Sequence, residues 1–375
     1  MMRKSSIGLT VALGMLAGVA GVGAAGWAAP AGPAFAAGRD AAWRLAGEVA
    51  FPDVKSGPYS DYVTTDTRRH RVFTTMQASK ELVVSDYESD KVIKVIPGFG
   101  NPHGVVYRGD TDRLYVSDGA GKIEVYDGAS YAHLKTIALR PGVDGVVYDP
   151  QDKRRIYVAN GGDDAGEATA HLSVIDTDLD RVVADWVFPT PVLEQGVIDH
   201  AEGRMYLNLP MKAALAVIDL KSGRIAAQWA VPSCGRNMSV ALSRAWNRLF
   251  VACRNSSMRG VIVAFDLKTG AVNKVLPSRG WIDSLWLDEK RRRIVDSSGD
   301  GVVETYVYTP DDAASGVSGP GGRSGGQYRK ADDVETSVMA KTSYFDPVAD
   351  RLFVSVPHLG FPTDYAKVMI FRPVE

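Results

Sequence analysis

Along the chain, short runs of alternating apolar and polar residues are broken by polar turns at regular intervals. One triplet marks the rhythm: an Arg, an aliphatic residue and usually an aromatic. It occurs as Arg71-Val-Phe73, Arg113-Leu-Tyr115, Arg155-Ile-Tyr157, Arg204-Met-Tyr206, Arg248-Leu-Phe250, Arg293-Ile-Val295 and Arg351-Leu-Phe353. The Arg positions step by 42, 42, 49, 44, 45 and 58 residues. Before most triplets stands a strand ending in a turn, such as Gly145–Asp149. After them come a third run, such as Ser173–Asp176, Ala216–Asp219 or Val263–Asp266, a turn such as Lys268-Thr-Gly270, and a fourth strand such as Arg224–Val231. Four short strands at a period of 40–50 residues predict propeller blades. A four-stranded sheet has two faces and buries neither alone; a ring of sheets buries both. The expected fold is therefore all-β, a seven-bladed β-propeller.

The ends of the repeat predict how the ring closes. Residues 342–346, 351–356 and 367–373 furnish only three strands for the last blade. Arg44–Phe51, preceded by Trp43, is a strand without a blade at the other end. The N-terminal strand is expected to complete the C-terminal blade.

Leu114-Tyr-Val-Ser-Asp118 and Ile156-Tyr-Val-Ala-Asn160, each followed by a third apolar strand, resemble the YVTN repeats of bacterial YncE-like β-propellers. The resemblance spans nearly all of residues 44–375. It implies a secreted or periplasmic seven-bladed propeller, in a family whose members are mostly of unsettled function. Blade six departs from the pattern at Ile294-Val-Asp296, where an aromatic is usual. It also carries a Gly- and Ser-rich insert, Asp311–Gly326, expected to be a loop.

The N-terminus sets the compartment. Arg3 and Lys4 precede an uncharged small-residue run from Ile7 to Ala25, then Ala34-Phe35-Ala36, a pattern for cleavage before Ala37. The expected organisation is a signal peptide over 1–36 and one propeller domain over 37–375, periplasmic or secreted, with an uncleaved anchor as the alternative. No later segment reaches the length of a membrane span. Cleavage would remove two basic and no acidic residues, so 43 basic against 44 acidic becomes 41 against 44, a net charge of −3. That near-neutral balance excludes a nucleic-acid binder driven by bulk positive charge. The two cysteines, Cys234 and Cys253, are expected to pair across the first two strands of blade five, with two buried free thiols as the alternative. The chain is expected to be a monomer.

Candidate chemistry gathers where the innermost strands begin. Their alignment places Asp61, His103, Asp144, Gln195, Met238, Asp283 and Lys341 at equivalent positions, with Arg236 and Asn237 just before the Met. Tyr59, Phe99 and Trp281 stand two to four positions earlier. Asp61, His103, Asp144 and Asp283 offer ligands for a divalent cation, or acid and base groups for a bound ligand. The same groups equally suit hydrogen bonding to strand ends and channel water, with Lys341 and Arg236 as internal counter-charges. A second set, the basic turns Arg68–Arg71, Lys153–Arg155 and Lys290–Arg293, falls on the opposite face, where it suits an anionic partner or plain solvation. There is no C-x-x-C-H, H-E-x-x-H, G-x-S-x-G or P-loop pattern. The favoured reading is a non-enzymatic scaffold that takes a small polar ligand or a protein partner at the channel mouth. The connections Gly161–His171 and Pro357–Asp364 should stand on that face. The alternative is a metal-assisted hydrolase or lactonase built on the Asp/His ring.

Overall fold

Alternation of apolar and polar residues, broken by Asp- and Gly-containing turns, produces short antiparallel strands throughout the computed structural model. It describes residues 40–375 except 56, 257–258, 311–325 and 362–363. The expected signal segment, and all of the blade-six insert but Gly326, lie outside the described residues.

Among those residues the strands form seven sheets in sequence order, each meandering outward from a first strand. Blade one is Val63–Asp66, Arg71–Met76, Glu81–Asp86 and Lys91–Pro97. Blades two to five repeat this order, with first strands Pro102–Arg108, Val146–Tyr148, Gly196–Asp199 and Arg236–Ser243. Blade six, from Ile282–Asp288 to Gln327–Lys330, carries an extra short strand, Val334–Glu335, on its third. Each first strand touches the first strand of the next blade, and Thr342–Asp346 of blade seven returns to Val63–Asp66, so the ring is closed. The core is the set of seams between blades. The triplet's third residue (Phe73, Tyr115, Tyr157, Tyr206, Phe250, Val295 and Phe353) is buried in every blade.

The recurrent Arg and the Asp ending the third strand have a structural cause. Arg71, Arg113, Arg155, Arg204 and Arg248 stand directly opposite Asp86, Asp127, Asp176, Asp219 and Asp266 in the ladder. Each Asp also folds back onto the next turn, accepting for instance from the Ser89 amide at 3.0 Å and the Ser222 amide at 2.8 Å. Hydrogen bonds from Ser130 and Ser222 hold Asp127 and Asp219 below the usual carboxylate range. The Arg–Asp repeat is thus turn chemistry.

The strand Trp43–Phe51 pairs antiparallel with Ala366–Pro373, giving blade seven the order N-terminal strand, third, second, first. Its register runs from Trp43 opposite Pro373 to Phe51 opposite Ala366. Trp43 is fully buried in the cluster that contains Val295, and its indole N–H donates to Thr305 Oγ1 at 3.0 Å. The aromatic missing from the blade-six triplet is therefore supplied to that seam by the latch strand.

Cys234 and Cys253 form a disulfide with Sγ–Sγ 2.11 Å and Cα–Cα 5.3 Å. It ties the connection entering blade five to the end of that blade's second strand, one residue before Arg254. Two basic turns of the far face are bound between blades, and the third, Lys153–Arg155, within its own, where Arg154 meets Asp176 and Asp178. Arg69 reaches Asp66 and Asp112; Arg291 reaches Asp288, Asp350 and Glu375; Arg293 donates to the carbonyls of Ala42 and Val374.

Truncating Trp43 to Ala should cost about 3–5 kcal/mol in denaturant unfolding, and deleting Trp43–Phe51 should cost more by baring the blade-seven edge. A deletion variant as stable as its parent would contradict the closure. Denatured, unreduced protein should titrate no free thiol, and reduction should cost roughly 3 kcal/mol; two thiols per chain before reduction would contradict the bridge.

Candidate functional site

Because every blade begins at the same end of the channel, residues at the starts of the first strands converge on one cavity. Asp61, Tyr62, His103, Asp144, Glu194, Gln195, Met238, Asp283 and Lys341 line it, joined by Gln77 and Arg254, around a volume of about 170 Å³. Backbone and hydroxyl contacts anchor the ring. Thr342 Oγ1 donates to the Asp61 carbonyl at 2.9 Å, Thr75 Oγ1 to that of His103 at 2.6 Å, and Ser117 Oγ to that of Asp144 at 2.8 Å. Gln195 donates across the ring to the Asp283 carbonyl at 2.8 Å and accepts from Ser239 at 2.7 Å.

The charges of the ring fall into two groups. In blades one to three, the His103 Nδ1 lies 2.9 Å from Asp61 Oδ2 and 3.4 Å from Asp144 Oδ1, so two carboxylates share one imidazole. The Asn101 amide sits 2.8 Å from its Nε2. In blades five to seven the stoichiometry is reversed: Lys341 and Arg254 both bind the single carboxylate of Asp283. Burial disfavours a charged His103, but the hydrogen bond to Asp61 and the negative field of Asp144 and Asp61 outweigh it, raising the pKa to about 9. Asp144 keeps 39 % of its side chain accessible and lines both this cavity and the one beside it. Desolvation there raises its pKa against the pull of His103. Glu194 is pushed well above the carboxylate range by desolvation and then by Asp144 and Asp283. For Asp283, Lys341 and Arg254 overcome the burial penalty and lower the pKa.

Several of the expected positions take other roles. Asp61, His103 and Asp144 bring one ligand atom each within 4.8 Å of one another, as a cation site requires. Asp283 does not join them, because its two oxygens are taken by Lys341 and Arg254. Arg236 lines a neighbouring cavity with Asp144, Asp163, Asp164 and Glu194, where its charge offsets part of the rise in the Glu194 pKa, while its ladder partner Arg254 lines the ring itself. Asn237 is fully buried, donating to Asn208 Oδ1 at 2.6 Å and the Ala214 carbonyl at 2.9 Å, which makes it a packing residue. Phe99 is likewise core. Tyr59 and Trp281 line an outer vestibule of about 510 Å³, together with Lys80, Asn101, Gln77, Arg254 and Lys341. Trp281 holds φ at +55°, and its ring lies 5.5 Å beneath the Arg254 guanidinium. Twelve other non-glycine residues among those described, Tyr131 and Arg292 included, hold the same region, most of them in turns.

Sequence reasoning missed Tyr62, Gln77, Glu194 and Arg254. Gln77 and Arg254 come from the ends of second strands, which run back to the mouth. The antiparallel argument that paired Cys253 with Cys234 would have placed its neighbour Arg254 there too. The connection Gly161–His171 does stand at this end, with Asp163 and Asp164 in the cavity beside Asp144. The connection Pro357–Asp364 backs onto Gly57 through a bridge at His358.

No family model matches the chain, and no curated protein matches it. Solved structures do. A chain of Kuenenia stuttgartiensis hydrazine synthase is 16% identical with a TM-score of 0.68, over 87% of this chain and 99% of that one. A chain of a mitotic checkpoint complex is 14% identical with a TM-score of 0.67, over 88% and 94%. A structure of U3-55K is 14% identical with a TM-score of 0.65, over 89% and 98%. At these identities the likeness is one of fold alone.

The geometry around His103 sets a pH dependence. Its folded pKa is raised above the unfolded value of about 6.5, so its stabilising contribution is complete below that pH and is lost as pH climbs through about 9. An NMR titration should give a midpoint near 9, falling in Asp144→Asn; a midpoint at or below 7 would contradict the shared-imidazole arrangement.

Proposed function

We propose that this chain is an exported member of the YVTN-repeat propellers, and that it acts as a binding scaffold for a small polar ligand or a partner protein at its channel mouth. The observation that carries the reading is how the two faces use charge. On the far face, charged side chains are spent in ion pairs within and between blades, as Arg154 and Arg291 illustrate, and the cavity of about 440 Å³ there is lined by such pairs. At the mouth, seven carboxyl and basic side chains converge on one cavity, where burial and mutual charge shift His103, Asp144, Glu194 and Asp283. Convergent polar groups with shifted pKa values in one cavity favour a recognition site. The loop Gly162–Ala165 beside the cavity supports the same face. The in-register triplets support the family, the leader-like residues 1–36 support export, and the disulfide suits an oxidising compartment.

The hydrolase or lactonase finds less support: Asp61, His103 and Asp144 come close enough to hold a cation, but without one His103 holds its proton between two carboxylates and is not a free base near neutral pH.

Asp144 is the group to alter, since its side chain makes one close ionic contact and is otherwise open to the channel. A thermal-shift screen of polar small molecules should yield compounds that raise the Tm of the parent and not of Asp144→Asn. The unliganded Tm should barely change. Compounds that stabilise both proteins equally would move the site away from the mouth. Secreted protein should begin at Ala37, which N-terminal sequencing of the exported chain checks.

A further inference from the structure

The channel mouth is dipolar in layout. Three carboxylates (Asp61, Asp144 and Asp283) and three basic side chains (His103, Lys341 and Arg254) pair there, and a fourth carboxyl, Glu194, pushed toward its neutral form by burial, lines the same cavity. The pairing is uneven. Two carboxylates share one imidazolium at blades one to three, and two cations share one carboxylate at blades five to seven. A surplus negative charge on the side of blades one to three therefore meets a surplus positive charge on the side of blades five to seven, the two adjoining at Asp61 and Lys341 and separated by Gln195 and Met238 on the other side. Lys80 of blade one, exposed at the vestibule, has no ion-pair partner among the described residues.

A ligand with one charge neutralises one side and leaves the other bare. A neutral polyol satisfies hydrogen bonds but neither surplus. Only a molecule that is itself neutral and dipolar meets both, and desolvating its two charges is repaid only where each finds an opposite partner. We propose that the mouth recognises a zwitterion of the α-amino acid or short-peptide class. Its ammonium group would lie against Asp61 and Asp144, and its carboxylate against Arg254 and Lys341. The inner cavity of about 170 Å³ suits the two charged groups, and the larger vestibule beyond it, walled by Trp281 and Tyr59, takes the side chain. The inference rests on the mouth being the binding face, and it adds the chemical class of what binds.

Calorimetry on the full mature chain tests it, with the twenty free α-amino acids, each in parallel as its N-acetyl and its carboxamide derivative, and with glycerol and glucose as neutral controls. At least one free amino acid should bind, and blocking either end should weaken it about tenfold or more, about 1.4 kcal/mol per blocked end. In Asp144→Asn, affinity for the free amino acid should fall while affinity for its N-acetyl derivative stays as it was. In Arg254→Gln, the carboxamide should be the insensitive one. The chemical blocking needs no variant, so a variant that fails to fold does not shield the proposal. Equal binding of a blocked derivative, or tighter binding of a polyol, would overturn the zwitterion and leave the mouth as a binding face, provided Asp144→Asn still abolishes that binding. No binding of any free amino acid up to about 10 mM, weaker than roughly 3 kcal/mol, would overturn it as well. Binding that ignores Asp144→Asn would overturn both readings.

Discussion

The pairing of Trp43–Phe51 with Ala366–Pro373 is the contact on which the remaining structure depends. Six blades complete themselves from neighbouring residues. The seventh is completed only by a strand from the other end of the chain, and until it is, two blade faces stay open to water. Closure fixes the first-strand ring as well, because Thr342–Asp346 meets Val63–Asp66 only in a complete circle. Asp61 and Lys341 are brought together at that junction. The electrostatic layout of the mouth thus rests on a backbone ladder at the rim.

Two uses of charge coexist in the same repeat. In blades one to five the Arg at the head of the second strand and the Asp at the end of the third are positioned by strand register, and their geometry recurs from blade to blade. The mouth residues occupy one equivalent position but differ in type: Asp, His, Asp, Gln, Met, Asp and Lys. A repeated scaffold holds a non-repeated set of groups, which is how a symmetric fold acquires a polarised cavity.

Much of this was legible in the sequence, and the limits have physical causes. The triplet is periodic because one aromatic must fill every seam, so blade number and closure could be counted. The ring positions followed because each first strand begins at the same depth. What escaped were groups delivered from elsewhere. Arg254 and Gln77 arrive on returning strands, and Glu194 on a connection. Arg236 and Arg254 are ladder neighbours of identical chemistry. Arg254 is the one that meets Asp283. The Val in the blade-six triplet looked like a defect, but Trp43, far off in sequence, packs into the same seam.

The latch also dictates an order of events. Phe51 and Ala366 meet across 315 positions, so the first strand to be made is among the last to be paired. Contacts so distant along the chain close slowly, because the loop entropy must be overcome before they reward it. Blades one to six can pack progressively as they emerge, but the ring cannot lock until the last strand is available. During that interval the chain carries an unpaired edge with an exposed Trp, the feature most prone to pairing with a second molecule. The kinetic hazard of this protein is therefore concentrated in a single strand, and its concentration dependence during refolding should belong to that strand alone.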